Sequence, residues 1–146
     1  MKIAIASDHA GFQMKQYIKD YLEKNKYEVK DFGAYSDESS DYPDYAHPLA
    51  QAILNKEFDF GITLCGTGNG INMTVNKYNE IRSALCWNEE IAELARRHND
   101  ANICALPARF INKELAIKIV EKFLNTKFDG GRHQRRIEKI PRKECC

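Results

Sequence analysis

Short apolar segments rich in Ile, Val and Ala alternate along this chain with longer segments whose apolar residues recur at helical spacing. This alternation is typical of βα units, because parallel strands need a crossover connection that is usually a helix. Five strands are predicted, near Lys2–Ala6, Glu28–Phe32, Phe58–Leu64, Arg82–Cys86 and Ala101–Leu106. Helices are predicted over Phe12–Lys24, Tyr45–Asn55, Asn88–Arg97 and Lys113–Leu124. The pattern therefore predicts an α/β fold around a five-stranded parallel sheet.

The chain has 146 residues, which suits one domain with one core, so residues 1–146 are interpreted as a single domain. Its formal net charge is +1, and such a balance gives no general attraction for nucleic acid or an anionic membrane. No apolar run approaches the roughly 20 residues that a membrane helix needs. The N-terminus meets Asp8 too soon for a secretory signal. We therefore expect a cytoplasmic protein.

The segment 127–146 is the one strongly basic part of the chain, and we predict that it leaves the domain as a short arm or helix. Arg132 and Arg136 would lie one turn apart on a helix, so both guanidinium groups could bind one phosphate. A solvated basic tail is an equal alternative on composition alone. A nucleic-acid-binding tail is a weaker one.

In a parallel α/β sheet, ligands bind outside the carboxyl ends of the strands. Three segments are therefore expected to be neighbours at that end: Ser7–Gly11, Cys65–Gly70 and Arg97–Asn102. On this reasoning the imidazoles of His9 and His98 are expected around the same crevice as the Cys65 thiol, as acid–base groups. For His98 the alternative is a structural role at the end of a helix.

The Cys65–Gly70 loop holds glycines at positions 66, 68 and 70 between a strand and a predicted helix, where backbone N–H groups can hold an anion. It matches neither a dinucleotide fingerprint, since Ile71 replaces the third glycine, nor a Walker loop. The anion is therefore expected to be an oxyanion or enolate. The helix dipole favours a thiolate at Cys65, which can act as a base or nucleophile. The alternative is a buried cysteine that behaves as a small apolar side chain.

The chain has five cysteines, an odd number, and no C-x-x-C spacing, so neither a disulfide framework nor a structural zinc site is predicted. Cys86 and Cys104 are expected to be buried structural residues inside strands. Cys145 and Cys146 are expected to be exposed thiols of the tail.

Five motifs occur together in this chain: Ser7-Asp8-His9-Ala10-Gly11, Asp41-Tyr42-Pro43-Asp44-Tyr45-Ala46, Cys65-Gly66-Thr67-Gly68-x-Gly70, His98-Asn99-Asp100-Ala101-Asn102 and Gly130-Gly131-Arg132-His133. In their order and spacing they resemble the ribose-5-phosphate isomerases of type B, a family that also includes galactose-6-phosphate isomerase subunits. The resemblance covers nearly the whole chain, to about Ile137.

That resemblance implies a Rossmann-like three-layer sandwich and an aldose–ketose isomerase that interconverts ribose 5-phosphate and ribulose 5-phosphate without metal or cofactor. It implies that Cys65 is the base, that Thr67 and the loop amides through Gly70 hold the enediolate, and that His98 opens the sugar ring. It also implies a set of substrate-binding residues: Asp8, His9, Gly66, Thr67, Gly68, Asn69, Gly70, Asn99, Arg109, Arg132 and Arg136. Family members form dimers or dimers of dimers with sites shared between subunits, so the same is expected here.

Two other functions remain open. Asn69 and the run 72–75 make the wall beside the loop more polar or bulkier than in many relatives, so a hexose 6-phosphate of the allose or galactose type is an alternative substrate. A sugar-phosphate binding module without catalysis is the alternative of another class. The combination of Cys65, Thr67 and His98 argues for an enzyme, since binding alone would not require it.

Overall fold

The fold, described here for residues 1–141 of a computed structural model, is built on a parallel sheet of five strands. The strands are β1 (Lys2–Ser7), β2 (Glu28–Asp31), β3 (Phe60–Cys65), β4 (Ser83–Leu85) and β5 (Ile103–Pro107). Their order is β2-β1-β3-β5-β4, and every neighbouring pair is parallel. The predicted α/β class and the five predicted strands are confirmed, with ends that shift by one or two residues.

Within the described residues, six α-helices surround this sheet: α1 (Phe12–Lys24), α2 (Tyr42–Leu54), α3 (Asn69–Val75), α4 (Glu89–Asn99), α5 (Lys113–Asn125) and α6 (Arg132–Ile137). The side chains of Asn88 and Asn112 cap α4 and α5 by accepting a backbone N–H. Helix α2 begins three residues earlier than predicted. Pro43 lies in its first turn, where a missing N–H costs no helical hydrogen bond.

Apolar side chains cover both faces of the sheet. On one face, α1, α4 and α5 pack Ile18, Ala92 and Phe123 against the inner strands. On the other face, α2 and α3 bury Leu49 and Ile71. The two helical layers around one sheet form the expected three-layer sandwich. None of the described helices is long and apolar enough to cross a membrane.

The direction of the connecting helices decides where each functional residue can lie. Because α1, α2 and α4 each lead from one parallel strand towards another, they begin near the carboxyl ends of the strands and end near their amino ends. We call these two sides of the sheet the carboxyl edge and the amino edge. Helix α5 also starts after a strand at the carboxyl edge and ends at the amino edge, so α6 begins at the amino edge.

The described part of the basic tail returns to the domain. Its helix α6 buries His133 and Ile137, and it packs against α4. The prediction that the tail leaves the body was therefore wrong for residues 127–141, although the predicted helix is confirmed. The buried residues at i and i+4 supply the apolar face that the composition alone did not reveal. Cys145 and Cys146 lie outside the described residues.

A buried ion pair supports the loop that follows β2. The Lys15 side chain is fully buried, and its Nζ donates to Asp31 Oδ1 at 2.5 Å and to the Ala34 carbonyl at 2.6 Å. Burial lowers the pKa of Lys15 while Asp31 opposes that shift. Replacing Lys15 by methionine is expected to reduce the free energy of unfolding by about 3 kcal/mol, because it leaves the Asp31 carboxylate nearly buried without its cation.

Urea denaturation measures this effect, and Lys19→Met is the matched control. Lys19 lies on the same helix in an exposed pair with Glu23, so its loss should cost no more than about 0.5 kcal/mol. The double variant Lys15→Met/Asp31→Asn should recover part of the loss, since it removes the uncompensated charge. Equal stability of Lys15→Met and Lys19→Met would contradict the role given to the buried pair.

Candidate active site

Cys65 is the last residue of β3 and places a thiol at the carboxyl edge. The residue is 4% exposed and is a free cysteine. The loop Gly66–Gly68 follows it, with the Thr67 side chain exposed, and leads into α3. The Asn69 N–H donates to Thr67 Oγ1 at 3.2 Å, which leaves the hydroxyl proton of Thr67 available to an acceptor in the crevice.

Arg109, which the family resemblance implies to be a substrate-binding residue, lies against this loop. The N–H groups of Ala108 and Arg109 donate to the carbonyls of Cys65 and Gly66, both at 3.0 Å, which fixes the segment after β5 to the loop. A Cβ atom added to Gly66 would lie 3.2 Å from Arg109 Nη1. The guanidinium group therefore packs directly on the backbone beside the thiol, where it can attract an anion.

Gly68 has a backbone conformation that its neighbours require. Its φ is +73°, and an added Cβ would lie 2.4 Å from Leu85 Cδ1 and 3.0 Å from the Leu106 carbonyl carbon. We expect Gly68→Ala to lower the free energy of unfolding by about 2 kcal/mol and to reduce turnover, because both the positive φ and the contact move the loop.

Urea denaturation and steady-state kinetics test this expectation, with Gly130→Ala as the control. Gly130 has a φ of +66° but nothing within 4 Å of an added Cβ, so only the conformational part of the cost should appear. Similar losses for the two variants would show that the close contact at Gly68 has no energetic effect.

Asp8 and His9 lie beside the same loop. The Asp8 N–H donates to the Leu64 carbonyl at 3.3 Å, and its carboxylate accepts the Gly11 N–H at 3.1 Å. His9 Nδ1 lies 3.1 Å from the Ser40 carbonyl oxygen and 3.2 Å from the Ser40 nitrogen. The contact with Ser40 holds the ring through Nδ1 and leaves Nε2 for a ligand.

Tyr42 also belongs to this cluster, and reasoning from residue chemistry missed it. A Cβ on Gly70 would lie 2.5 Å from the Tyr42 ring and 2.8 Å from its hydroxyl oxygen, so the phenol covers the first turn of α3. Its one signal in the sequence is its place in the Asp41–Ala46 motif. We call the residues gathered here the carboxyl-edge cluster: Asp8, His9, Tyr42, Cys65, Gly66, Thr67, Gly68, Asn69, Gly70 and Arg109.

His98 and Asn99 do not lie in this cluster, so the expectation of one crevice was wrong for them. They form the end of α4, and three residues separate Asn99 from Ile103, where β5 begins. Both residues therefore lie at the amino edge. The physical reason is the antiparallel course of the helix between parallel strands. The segment Arg97–Asn102 precedes a strand, whereas the rule for ligand sites concerns the residues that follow one.

A second cluster forms at the amino edge around His98. The ring of His133 stacks on the ring of His98, with centroids 4.2 Å apart and planes inclined by 10°. Arg132 and Arg136 lie in the same helix as His133 at the predicted spacing of one turn, and both are exposed. We call this set the amino-edge cluster: His98, Asn99, Arg132, His133 and Arg136.

An ion pair joins α4 to the segment before α6. Arg97 Nε lies 3.1 and 3.2 Å from the two carboxylate oxygens of Asp129, and the Asp129 N–H donates to the Arg97 carbonyl at 3.0 Å. The hydrogen bond between the two side chains lowers the pKa of Asp129 and raises the pKa of Arg97. Burial lowers the pKa of His133, and the charges of His98, Arg132 and Arg136 lower it further.

Each chain thus carries two complementary groups of functional side chains on opposite edges of its sheet. The carboxyl-edge cluster combines a thiol with a hydroxyl, backbone amides and a guanidinium group, which suits proton transfer beside a developing oxyanion. The amino-edge cluster combines an imidazole with two exposed guanidinium groups, which suits an acid next to a phosphate. Fold and clusters together define an α/β protein that combines candidate acid–base groups with candidate anion-binding groups.

Comparison with known proteins places this architecture in a family. Residues 3–140 match the family model described as Ribose/Galactose Isomerase. The chain is 44% identical to ribose-5-phosphate isomerase B of Escherichia coli K12 over 139 residues, which cover 95% of this chain and 93% of the relative. The chain therefore belongs to the ribose/galactose isomerase family.

Two solved structures support this assignment. A ribose 5-phosphate isomerase of Thermotoga maritima superposes with a TM-score of 0.95 at 58% identity, covering 96% of this chain and 97% of that one. Ribose-5-phosphate isomerase B of Mycoplasma genitalium, solved with bound ribulose-5-phosphate, gives a TM-score of 0.90 at 45% identity, covering 95% and 93%. The similarity extends over nearly the whole length of each protein.

Proposed function

We propose that this protein is an aldose–ketose isomerase that interconverts D-ribose 5-phosphate and D-ribulose 5-phosphate. The observation that carries the proposal is the Cys65 thiol at the carboxyl end of β3, directly before a glycine loop on which Arg109 packs. Support for the substrate comes from the Escherichia coli relative, named for ribose 5-phosphate, and from the ribulose-5-phosphate bound to the Mycoplasma genitalium protein.

The reaction begins with the opening of the sugar ring. His98 donates a proton to the ring oxygen while water accepts the proton of the C1 hydroxyl. The bond between C1 and the ring oxygen breaks, which gives the open-chain aldehyde. The Cys65 thiolate then removes the proton from C2, and the electron pair forms a cis-enediolate across C1 and C2. Return of that proton to C1, together with transfer of the hydroxyl proton from O2 to O1, gives the ketose, so atoms and electrons balance without a cofactor.

The loop stabilises the charge that develops on the enediolate oxygens. The Thr67 hydroxyl accepts the Asn69 N–H and can donate its own proton, while backbone amides through Gly70 add further donors. Asp8 and His9 position the sugar hydroxyls. Because two backbone hydrogen bonds fix the loop to the segment that follows β5, these donors are held in place before the charge develops.

The phosphate is bound by the arginines. Arg109 lies in the carboxyl-edge cluster, whereas Arg132, Arg136 and Asn99 lie in the amino-edge cluster. Charge-assisted hydrogen bonds from guanidinium groups suit a phosphate dianion. The basic tail therefore binds a small phosphate rather than a nucleic acid. As a separate part of the proposal, the protein works in the cytoplasm.

A complete active site requires two copies of the chain. Cys65 and His98 lie on opposite edges of one sheet, so the carboxyl-edge cluster of one subunit meets the amino-edge cluster of its partner. A twofold dimer in which each chain gives one cluster to each site forms two such sites. The assembly is a homodimer, or a homotetramer built from two such dimers.

Purified protein should interconvert ribose 5-phosphate and ribulose 5-phosphate in the presence of a metal chelator. Allose 6-phosphate, assayed beside it, should show a much lower kcat/KM, because the additional carbon must fit between the loop and the arginines. Faster turnover of the hexose phosphate would move the substrate assignment to six-carbon sugars. Binding of either sugar phosphate without turnover would contradict the proposed enzyme and leave a binding module.

A further inference from the structure

His133 is the member of the amino-edge cluster to which nothing so far gives a task. It is 8% exposed, whereas its neighbours Arg132 and Gln134 on α6 are exposed. Its ring lies face to face on the ring of His98. Burial of a polar side chain costs free energy unless it is hydrogen-bonded, so a buried imidazole at this place calls for an explanation. Helix α6 therefore turns this one ring towards the end of α4.

The stack is supported from three sides. The His133 N–H donates to the Gly130 carbonyl at 3.1 Å, which fixes the start of α6. The Arg97–Asp129 ion pair holds the preceding segment on α4. His98 itself lies in the last turn of α4, so both rings sit on elements that are tied to each other. The geometry of the pair is therefore set by backbone contacts as well as by the rings.

Metal binding explains this arrangement less well than stacking does. His98, His133 and Asp129 each offer a ligand atom, and these atoms lie within 4.8 Å of one another. However, the nitrogen lone pairs of two parallel rings point along parallel planes instead of converging on one ion. Asp129 already pairs with Arg97, and Arg132 and Arg136 add positive charge.

The charges around the pair limit how many protons it can hold. Among the described residues, His133 faces cationic Arg132 and Arg136 on its own helix and His98 on α4, while Asp129 acts as an opposing anion. Arg97, on α4, is neutralised by its pairs with Asp129 and Glu93. Two stacked imidazolium ions in such surroundings repel each other strongly.

We propose that His133 is a positioning residue for His98, whose ring it holds in one orientation by stacking. The proposal rests on the proposed function, in which His98 protonates the ring oxygen of the sugar. His98 must then carry a proton and present it in one direction, across the dimer interface. The His133 ring packed on the face of His98 fixes that direction.

Three variants separate the stacking of His133 on His98 from the electrostatic coupling between the two rings. His133→Ala removes the stack, and we expect kcat to fall about tenfold or more while KM changes by less than about threefold, because orientation matters in the transition state. His133→Phe keeps a flat ring without a titrating group, so it should restore most of kcat but change the pH profile. His47→Phe is the control, since His47 contacts Tyr78 and neither cluster.

A proton NMR titration of the four histidines tests the pairing without any activity. The His133 signal, identified by its loss in His133→Phe, should titrate at a lower pH in the wild type than in His98→Asn, because the charge of His98 lowers the pKa of His133. The same His133 titration in both proteins would overturn the proposal. So would equal loss of kcat in His133→Ala and His133→Phe, or an unchanged kcat in His133→Ala.

Failure of the proposed function would look different. A protein without isomerase activity that still shows the coupled titration would retain the stacked pair but lose the reaction assigned to it, which overturns the positioning role together with the proposed function. An active isomerase whose His133 titrates independently of His98 would overturn the positioning role alone.

Discussion

Cys65→Ala is expected to lower kcat for ribose 5-phosphate by about 10³-fold, within the range that a general base contributes. The alanine variant keeps the loop, Arg109 and the amino-edge cluster, so substrate affinity should change little. Loss of kcat at nearly constant KM is the kinetic mark of a group that acts in the transition state. Steady-state kinetics, with sugar-phosphate binding measured in parallel by calorimetry, test this expectation.

Cys86→Ala is the matched control for this substitution. Cys86 is likewise a buried free thiol, but it follows β4 and packs in the core with Cys104, whose pKa is raised by its hydrogen bond with Cys86 and by burial. Its loss should reduce the free energy of unfolding by about 1 kcal/mol and leave kcat unchanged. A Cys65→Ala protein with more than a tenth of wild-type kcat would show that another group is the base.

Mixing two inactive variants is expected to restore about a quarter of wild-type activity. The Cys65→Ala chain lacks one residue of the carboxyl-edge cluster, and the His98→Asn chain lacks one residue of the amino-edge cluster. Each homodimer therefore has two defective sites. After exchange of subunits about half of the dimers are mixed, and each of these has one site with both clusters intact and one with neither. This recovery follows from the position of His98 at the amino edge, away from Cys65 of the same chain.

Denaturing the two variants together and refolding the mixture tests this expectation. A mixture of Cys65→Ala with Arg109→Ala is the control, because both substitutions alter the carboxyl-edge cluster and every mixed dimer then has two altered sites. Activity that stays at the level of the separate variants in the first mixture would contradict a site shared between subunits. It would require Cys65 and His98 to act within one chain.

The sheet and the carboxyl-edge cluster could be predicted from the sequence because their signals are local. Alternating apolar and helical periods define the strands. Cys65 is the last residue of one of them, and Asp8 directly follows another. The position of the segment after a strand is then enough to place it at the carboxyl edge. Tyr42 was missed because its contact with Gly70 joins segments from different βα units.

The amino-edge cluster could not be predicted in the same way. His98 lies near a strand in the sequence, but it precedes that strand, and its edge follows from the course of α4 rather than from its neighbours. The stack with His133 joins residues 35 positions apart, and neither the spacing nor the charge pattern of the tail indicates it. The composition of residues 127–141 indicates a basic segment but not that His133 and Ile137 are buried and hold α6 against the domain.

The antiparallel course of α4 also determines how the rate depends on protein concentration. A single subunit holds only half of each proposed site, so isolated monomers contribute no turnover. Well below the dissociation constant of the dimer, the amount of dimer varies with the square of the total protein, and doubling the protein raises the rate roughly fourfold. Dilution is therefore expected to lower the activity per chain as dimers dissociate, and sugar phosphate bound across the interface should oppose that dissociation by mass action.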